Sequence, residues 1–177
     1  MRVLTTPLCT LEPQLASHAA EMFEVLSDPA IYEFENAPPV SEAGLRTRFA
    51  KLETRRSADG TQQWLNWVIR LPNDELAGYV QATVLPSGAA LVAYELASRY
   101  WRRGIGSSAV GAMLHELACQ HGVSTLVAVL KAGNFRSLAL LASLGFAPGS
   151  ADQAITFGAE PGEVVMVKTL HGAGNPA

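Results

Sequence analysis

Cysteine is scarce: Cys9 and Cys119 are the only two in the chain, and they lie far apart. No CxxC pair occurs and no His/Cys spacing matches a zinc site, which excludes a disulfide framework and a zinc module. The four histidines, His18, His115, His121 and His171, form no HxxxH or HExxH pattern, so no metal is expected. Basic charge is also in short supply. Charged residues make up 16% of the chain and the formal net charge is -3, so nothing electrostatic favours nucleic acid or an anionic membrane as a partner. No apolar run approaches the roughly 20 residues of a membrane span. The first residues, Met1 to Pro7, meet Glu12 and Pro13 early and do not build a secretory leader. A cytoplasmic protein with reduced thiols is the expectation.

What the chain does have is apolar residues, at 49% of 177, enough for one domain with a real core. We assign that domain to residues 1–170. Residues 171–177, rich in Gly, Ala, Asn and Pro, read as a frayed tail. Thr10 reads as an N-cap with Pro13 in the first turn of a helix, and Leu15, Ala19, Met22, Phe23 and Leu26 recur at helical spacing. Ser27-Asp28-Pro29 stops it. Residues 31–40 read as an irregular loop, and Ser41 caps a polar helix to about Arg56. Three strands follow, at 64–71, 76–85 and 89–97, separated by turn residues, and they read as an antiparallel meander. A helix over 104–121 ends at Gly122, and a strand covers 124–130. Asn134 caps a further helix with Leu138, Leu141 and Ala142 inward, and a last strand runs from Val164 to Leu170.

The chemistry concentrates where the third strand of the meander runs into a helix, Tyr94-Glu95-Leu96-Ala97-Ser98-Arg99-Tyr100-Trp101-Arg102-Arg103-Gly104-Ile105-Gly106-Ser107. Two glycines let the backbone approach a ligand, and the helix start presents N–H groups and a positive dipole. Arg102 and Arg103 add charge. This outlines a pyrophosphate site. Gly104-x-Gly106-x-x-Ala109 also fits a loose Rossmann fingerprint. However, Ser98 to Trp101 separate it from its strand, and the next strand ends at Leu130-Lys131 without the acid that fingerprint expects. No GxxxxGK[ST] occurs, so a P-loop is excluded.

Residues 94–109 resemble motif A of the GNAT superfamily, (Gln/Arg)-x-x-Gly-x-(Gly/Ala), with Trp101 in the first position and Gly104 and Gly106 in the glycine positions. Asn134-x-x-Ser137-x-x-Leu140-Leu141-x-x-x-Gly145-Phe146 is similar to a motif of the Rim-type ribosomal-protein N-acetyltransferase branch, and Asp28-Pro29 is a fainter match. The resemblance implies an α/β (α+β) GNAT fold: a mixed, mostly antiparallel sheet with helices on both faces, splayed between the strands at 89–97 and 124–130. Acetyl-CoA would lie in that split, its pantetheine paired with Leu96, Ala97 and Ser98. Its pyrophosphate would be wrapped by Arg102, Arg103, Gly104, Ile105, Gly106 and Ser107, and Asn134 would hydrogen-bond the pantetheine arm.

The implied activity is transfer of an acetyl group to a primary amine, on a protein N-terminus or a small molecule, by direct attack in a ternary complex. Two positions depart from the family pattern. Ala90 and Leu91 stand where many members carry an acid, and Leu141 stands where many carry a tyrosine. Glu95, the acid of that strand, is therefore the candidate base and Ser137 the candidate donor to the leaving thiolate. Glu33 and Glu35, in the loop the resemblance places over the acceptor cleft, are candidates to bind a cationic amine. Tyr32, Phe34 and Trp67 are candidates to line the acceptor site, with core packing the alternative for Trp67. The competing function is an acyl-CoA-binding sensor or interaction module without catalysis, motivated by Ala90 and Leu91. A nicotinamide-dependent enzyme stands third. The sequence leaves open whether the chain is a monomer or a homodimer.

Overall fold

The computed structural model describes residues 1–34 and 37–170. Strands β1 (Leu4–Thr5) and β2 (Thr10–Pro13) precede a short 3-10 turn, Ala16–His18, and helix α1 (Ala19–Leu26). Helix α2 (Glu42–Leu52) follows, then strands β3 (Gln63–Arg70), β4 (Leu76–Val84) and β5 (Ala89–Leu96). The second half holds α3 (Ile105–Gln120), β6 (Thr125–Lys131), α4 (Phe135–Ser143), β7 (Ala147–Pro148), α5 (Ala151–Thr156) and β8 (Glu163–Thr169).

All eight strands join one sheet in the order β1-β2-β3-β4-β5-β6-β8-β7, antiparallel throughout except for the parallel pair β5–β6. Five consecutive residues of β3, Leu65 to Ile69, are buried. Successive side chains point to opposite faces, so both faces of the sheet are covered. Helix α1 packs against β4, and α3 against β4 and β5. Met22, Trp67, Val80, Val110, Met113 and Leu126 lie fully inside the core. The β5–β6 pairing covers only Ala89, Ala90 and Leu91 against Thr125, Leu126 and Val127. Beyond that the strands diverge, which is the splay the motifs imply.

Most local readings hold. Ser41 caps α2 by accepting from Gly44 N–H, and Asn134 caps α4 by accepting from Ser137 N–H. Thr10 is a correction: it opens a strand rather than a helix. Leu11 is buried opposite Ile69, so a long-range partner outweighs the local capping pattern. Pro13 fits there because Gln14 N–H donates to Asn66 O, which by alternation turns the Pro13 nitrogen outward. On that side β1 covers only Thr10 and Leu11. Ala142 is exposed rather than inward, and Leu141 carries the buried face of α4. Helix α2 ends at Leu52, before Arg55 turns left-handed at φ 61. The short elements β1, β7 and α5 escape the sequence reading. Residues 171–177, read from the sequence as a tail, lie outside the described residues. Among the described residues, no helix is long and apolar enough to cross a membrane.

Candidate active site

The divergence of β5 from β6 opens a cleft of about 710 Å3 between β5, the turn before α3, and the start of α4. The end of the cleft beside α3 is shaped by backbone conformation. Arg102 and Gly104 both adopt left-handed φ, at 59° and 76°, on either side of Arg103. Reversed residues in a turn bring successive N–H groups into a concavity that suits an anion. This one sits on the N-terminus of the 16-residue helix α3, where the dipole adds to it. Arg102, Gly104, Gly106 and Ser107 line the cleft. Ile105 turns its side chain into the core, and Arg103 lies 5.9 Å over the Tyr100 ring, so neither side chain lines the cleft.

The strand edge offers less than the resemblance implies. Ala97 N–H donates to Ala77 O and Ser98 N–H to Asp28 Oδ2, at 2.9 and 2.7 Å. Leu96 O accepts from the Trp101 indole at 2.7 Å. The bonds from Leu85 N–H to Ala89 O and from Ala97 N–H to Ala77 O set the alternation, so odd-numbered residues of β5 face β4. The backbones of Val92, Tyr94 and Leu96 therefore face the split. Asp28 also caps the 3-10 turn Pro29–Tyr32 through Ala30 N–H. Burial pushes its carboxyl upward, but hydrogen bonds from Ser98 and Ala30 and the Arg99 charge leave it below the usual carboxylate range.

At the other wall, Asn134 Oδ1 is committed to Ser137 N–H at 3.2 Å, so Asn134 presents its NH2 group to the cleft it lines. Ser137 also lines the cleft. Its carbonyl accepts from the Tyr94 hydroxyl at 3.4 Å, a tie from β5 to the first turn of α4. Arg136 stacks on Trp101 at 4.2 Å and pairs with Glu33 at 2.7 Å, which straps the segment after α1 to the phosphate turn. Glu33 is thus engaged with Arg136 and lines neither cavity described here, while Phe34 lines the cleft. Glu35 lies outside the described residues. Trp67 is fully buried and donates to Arg2 O, so core packing is its role.

Glu95 stands in the opened part of β5, opposite Tyr79 of β4 in the strand register. Burial first, and then the Glu95 charge, hold the Tyr79 hydroxyl well above its ordinary value. The same two causes push Tyr32 up to about 12. Both tyrosines therefore remain protonated donors at neutral pH. Ala90 and Leu91, the positions without an acid, lie in the closed part of the split, paired with Leu126 and Val127. Arg48 and Gln81 line the cleft beside Glu95, and sequence reasoning missed both. Two patterns pointed to them: Arg48 sits one turn from the inward Leu45 and Leu52, and Gln81 shares its strand face with Tyr79. Among the described residues no group of three His, Cys, Asp or Glu side chains is placed to hold a metal.

The acetyltransferase (GNAT) domain family matches residues 9–147. No curated protein matches the chain in sequence. Among solved structures, the chain is similar to RimL, a ribosomal L7/L12 alpha-N-protein acetyltransferase in complex with coenzyme A. The identity is 16%, the match covers 96% of this chain and 98% of that one, and the TM-score is 0.80. It is similar to the ribosomal-protein-S5-alanine acetyltransferase of Vibrio fischeri at 18% identity, over 99% and 100% of the two chains, with a TM-score of 0.80. It is also similar to the microcin C7 self-immunity acetyltransferase MccE, in complex with acetyl-CoA and AMP. There the identity is 16%, the coverage 93% and 94%, and the TM-score 0.76.

Proposed function

Because this chain belongs to the acetyltransferase (GNAT) family, we propose that it transfers an acetyl group from acetyl-CoA to a primary amine in a ternary complex. Two of the similar structures hold CoA or acetyl-CoA, which supports the donor. Two carry names of ribosomal-protein acetyltransferases, which supports a peptide N-terminus among the acceptors. The observation that carries the reading is one cleft lined both by the left-handed Arg102 and Gly104 and by Glu95.

The residues present fit the donor. The N–H groups of Arg102 to Ser107 and the Arg102 guanidinium receive the pyrophosphate. The split face of Val92, Tyr94 and Leu96 receives the pantetheine amides, with the Asn134 NH2 as a further donor. The neutral amine forms its C–N bond to the thioester carbonyl as the C–S bond breaks. Glu95 takes the proton the amine gives up, directly or through water. The Ser137 hydroxyl donates a hydrogen bond to the sulfur as charge develops there, and the thiolate takes its proton from solvent, directly or relayed through that hydroxyl, which regains its own proton from solvent. Positioning two substrates in one cleft supplies much of the acceleration, so a modest base is sufficient.

The test is direct. Calorimetry with acetyl-CoA, followed by thiol release in the presence of an amine library, should show binding and then turnover with at least one primary amine. Binding with no turnover would favour an acyl-CoA-binding module. No binding at all would remove the reading.

A further inference from the structure

Next to the cofactor cleft lies a second cavity of about 210 Å3, covered by residues of α1 and α2. Arg48, Tyr79, Gln81 and Glu95 line both spaces, so they form the passage between them. An acceptor whose nitrogen sits at Glu95 therefore continues into this cavity. Its apolar wall comes from Leu26, Leu45, Phe49 and Leu52.

The polar groups left to meet a ligand are unequal in kind. The Tyr32 hydroxyl is committed to Leu26 O at 2.7 Å, and Tyr79 stands opposite Glu95, whose charge with burial keeps it protonated. There remain the Arg48 guanidinium, the Gln81 carboxamide and Gln14. Gln14 is 2% exposed, and its Nε2 is buried with no hydrogen-bond partner among the described residues. A buried amide without a partner is costly and calls for a ligand or water to satisfy it. The groups beside Glu95 in the passage, with Gln14 in the cavity, are thus rich in donors and carry a positive charge.

Resting on the acetyl-transfer reading, we propose that this cavity is the acceptor subsite and that it selects amines bearing a carbonyl or carboxylate close to the nucleophilic nitrogen. Glu95 receives the amine, and Arg48, Gln81 and Gln14 receive the oxygen atoms. A second cation in the acceptor meets Arg48 and is rejected, which excludes polyamines. The cavity is smaller than the roughly 300–1,000 Å3 of sites for drug-sized ligands. It suits one small amino-acid unit, either free or at the end of a peptide.

The experiment compares kcat/KM for alanine, alaninamide, an alanyl tripeptide, ethylamine and 1,4-diaminobutane, read by thiol release from acetyl-CoA. The carbonyl-bearing amines should exceed ethylamine and the diamine by about tenfold or more. Alanine ahead of alaninamide and the tripeptide assigns a free amino acid, and the reverse assigns a peptide N-terminus. Arg48→Glu, on an exposed helix position that tolerates change, should shift the ratio of alanine to diaminobutane by about tenfold or more towards the diamine. Gln14→Leu should lower kcat/KM for the carbonyl-bearing amines. Ethylamine or diaminobutane matching them in the parent, or a ratio unmoved by Arg48→Glu, overturns the subsite while leaving acetyl transfer standing. Binding of acetyl-CoA without turnover of any amine overturns acetyl transfer and the subsite together.

Discussion

Tyr79 and Glu95 are register partners across β4 and β5, and after burial it is the Glu95 charge that holds the tyrosine hydroxyl well above its ordinary value. Glu95→Gln should lower kcat by about 10²-fold or more with little change in acetyl-CoA affinity. Tyr79→Phe should lower kcat by about tenfold at most, the worth of one hydrogen bond. Steady-state rates and calorimetry on both variants check this, and equal rates for parent and Glu95→Gln would remove Glu95 as the base.

Gly78 is the reason β4 and β5 can close on each other here. A Cβ on Gly78 would lie 2.0 Å from the Glu95 carbonyl oxygen, a backbone atom that no side-chain motion can clear. Gly78→Ala should therefore displace the end of β5. We expect a loss of about 1–3 kcal/mol in stability and a lower kcat, measured by thermal melts and turnover on the same preparation.

The two glycines of the phosphate turn should fail for different reasons. Gly104 sits at φ +76, so Gly104→Val strains the backbone. Gly106 is helical, and a Cβ there would meet Leu140 Cδ1 at 3.2 Å, so Gly106→Val presses α3 against α4 and into the cleft. Both should abolish acetyl-CoA binding in calorimetry. Arg102→Gly, which keeps the left-handed conformation and loses the charge, should only weaken binding and reduce its salt dependence. Retained affinity in folded Gly104→Val and Gly106→Val proteins would displace the site from this turn.

Ser137 and Tyr94 meet through the Ser137 carbonyl, not its hydroxyl, so their variants are separable. Ser137→Ala should bind acetyl-CoA nearly as the parent does and lose about 1–3 kcal/mol of transition-state stabilisation. Tyr94→Phe releases the tie to α4 and should show mainly as a raised KM for acetyl-CoA. A parent-like rate in Ser137→Ala would leave it a helix residue alone.

Asp28 links acid stability to the cleft. Its carboxyl titrates below the usual range in the folded protein, so its contribution is complete above the unfolded value near 3.8 and is lost as pH falls through the folded value. Asp28→Asn should therefore melt below the parent at neutral pH, and the gap should close as the pH falls below the unfolded value and through the lower folded one. A gap that persists unchanged in acid would show that the Asp28 charge is not what holds Ser98.

Much of this site was legible because it rests on local chemistry. Ser41 and Asn134 cap the helices they precede, and the glycines and arginines at 102–106 announce a phosphate turn within one short segment. Strands β3 to β5 follow from branched and aromatic runs between turn residues. The sequence by itself thus determined the starts of α2 and α4, the meander, the glycine-rich turn before α3 and the family.

What only the tertiary structure decided is everything that depends on a distant partner. Thr10 carries a capping pattern, yet Leu11 finds Ile69 and the segment becomes a strand. Leu96 to Ser98 read as an open edge, yet Trp101 takes the Leu96 carbonyl, and Ala77 and Asp28 take the Ala97 and Ser98 N–H groups. The second cavity assembles Gln14 from the end of β2, Arg48 from α2, Gln81 from β4 and Glu95 from β5. No spacing in the chain relates these four, because hydrogen-bond alternation across paired strands and the packing of α2 over the sheet, rather than sequence neighbourhood, bring them to one cavity.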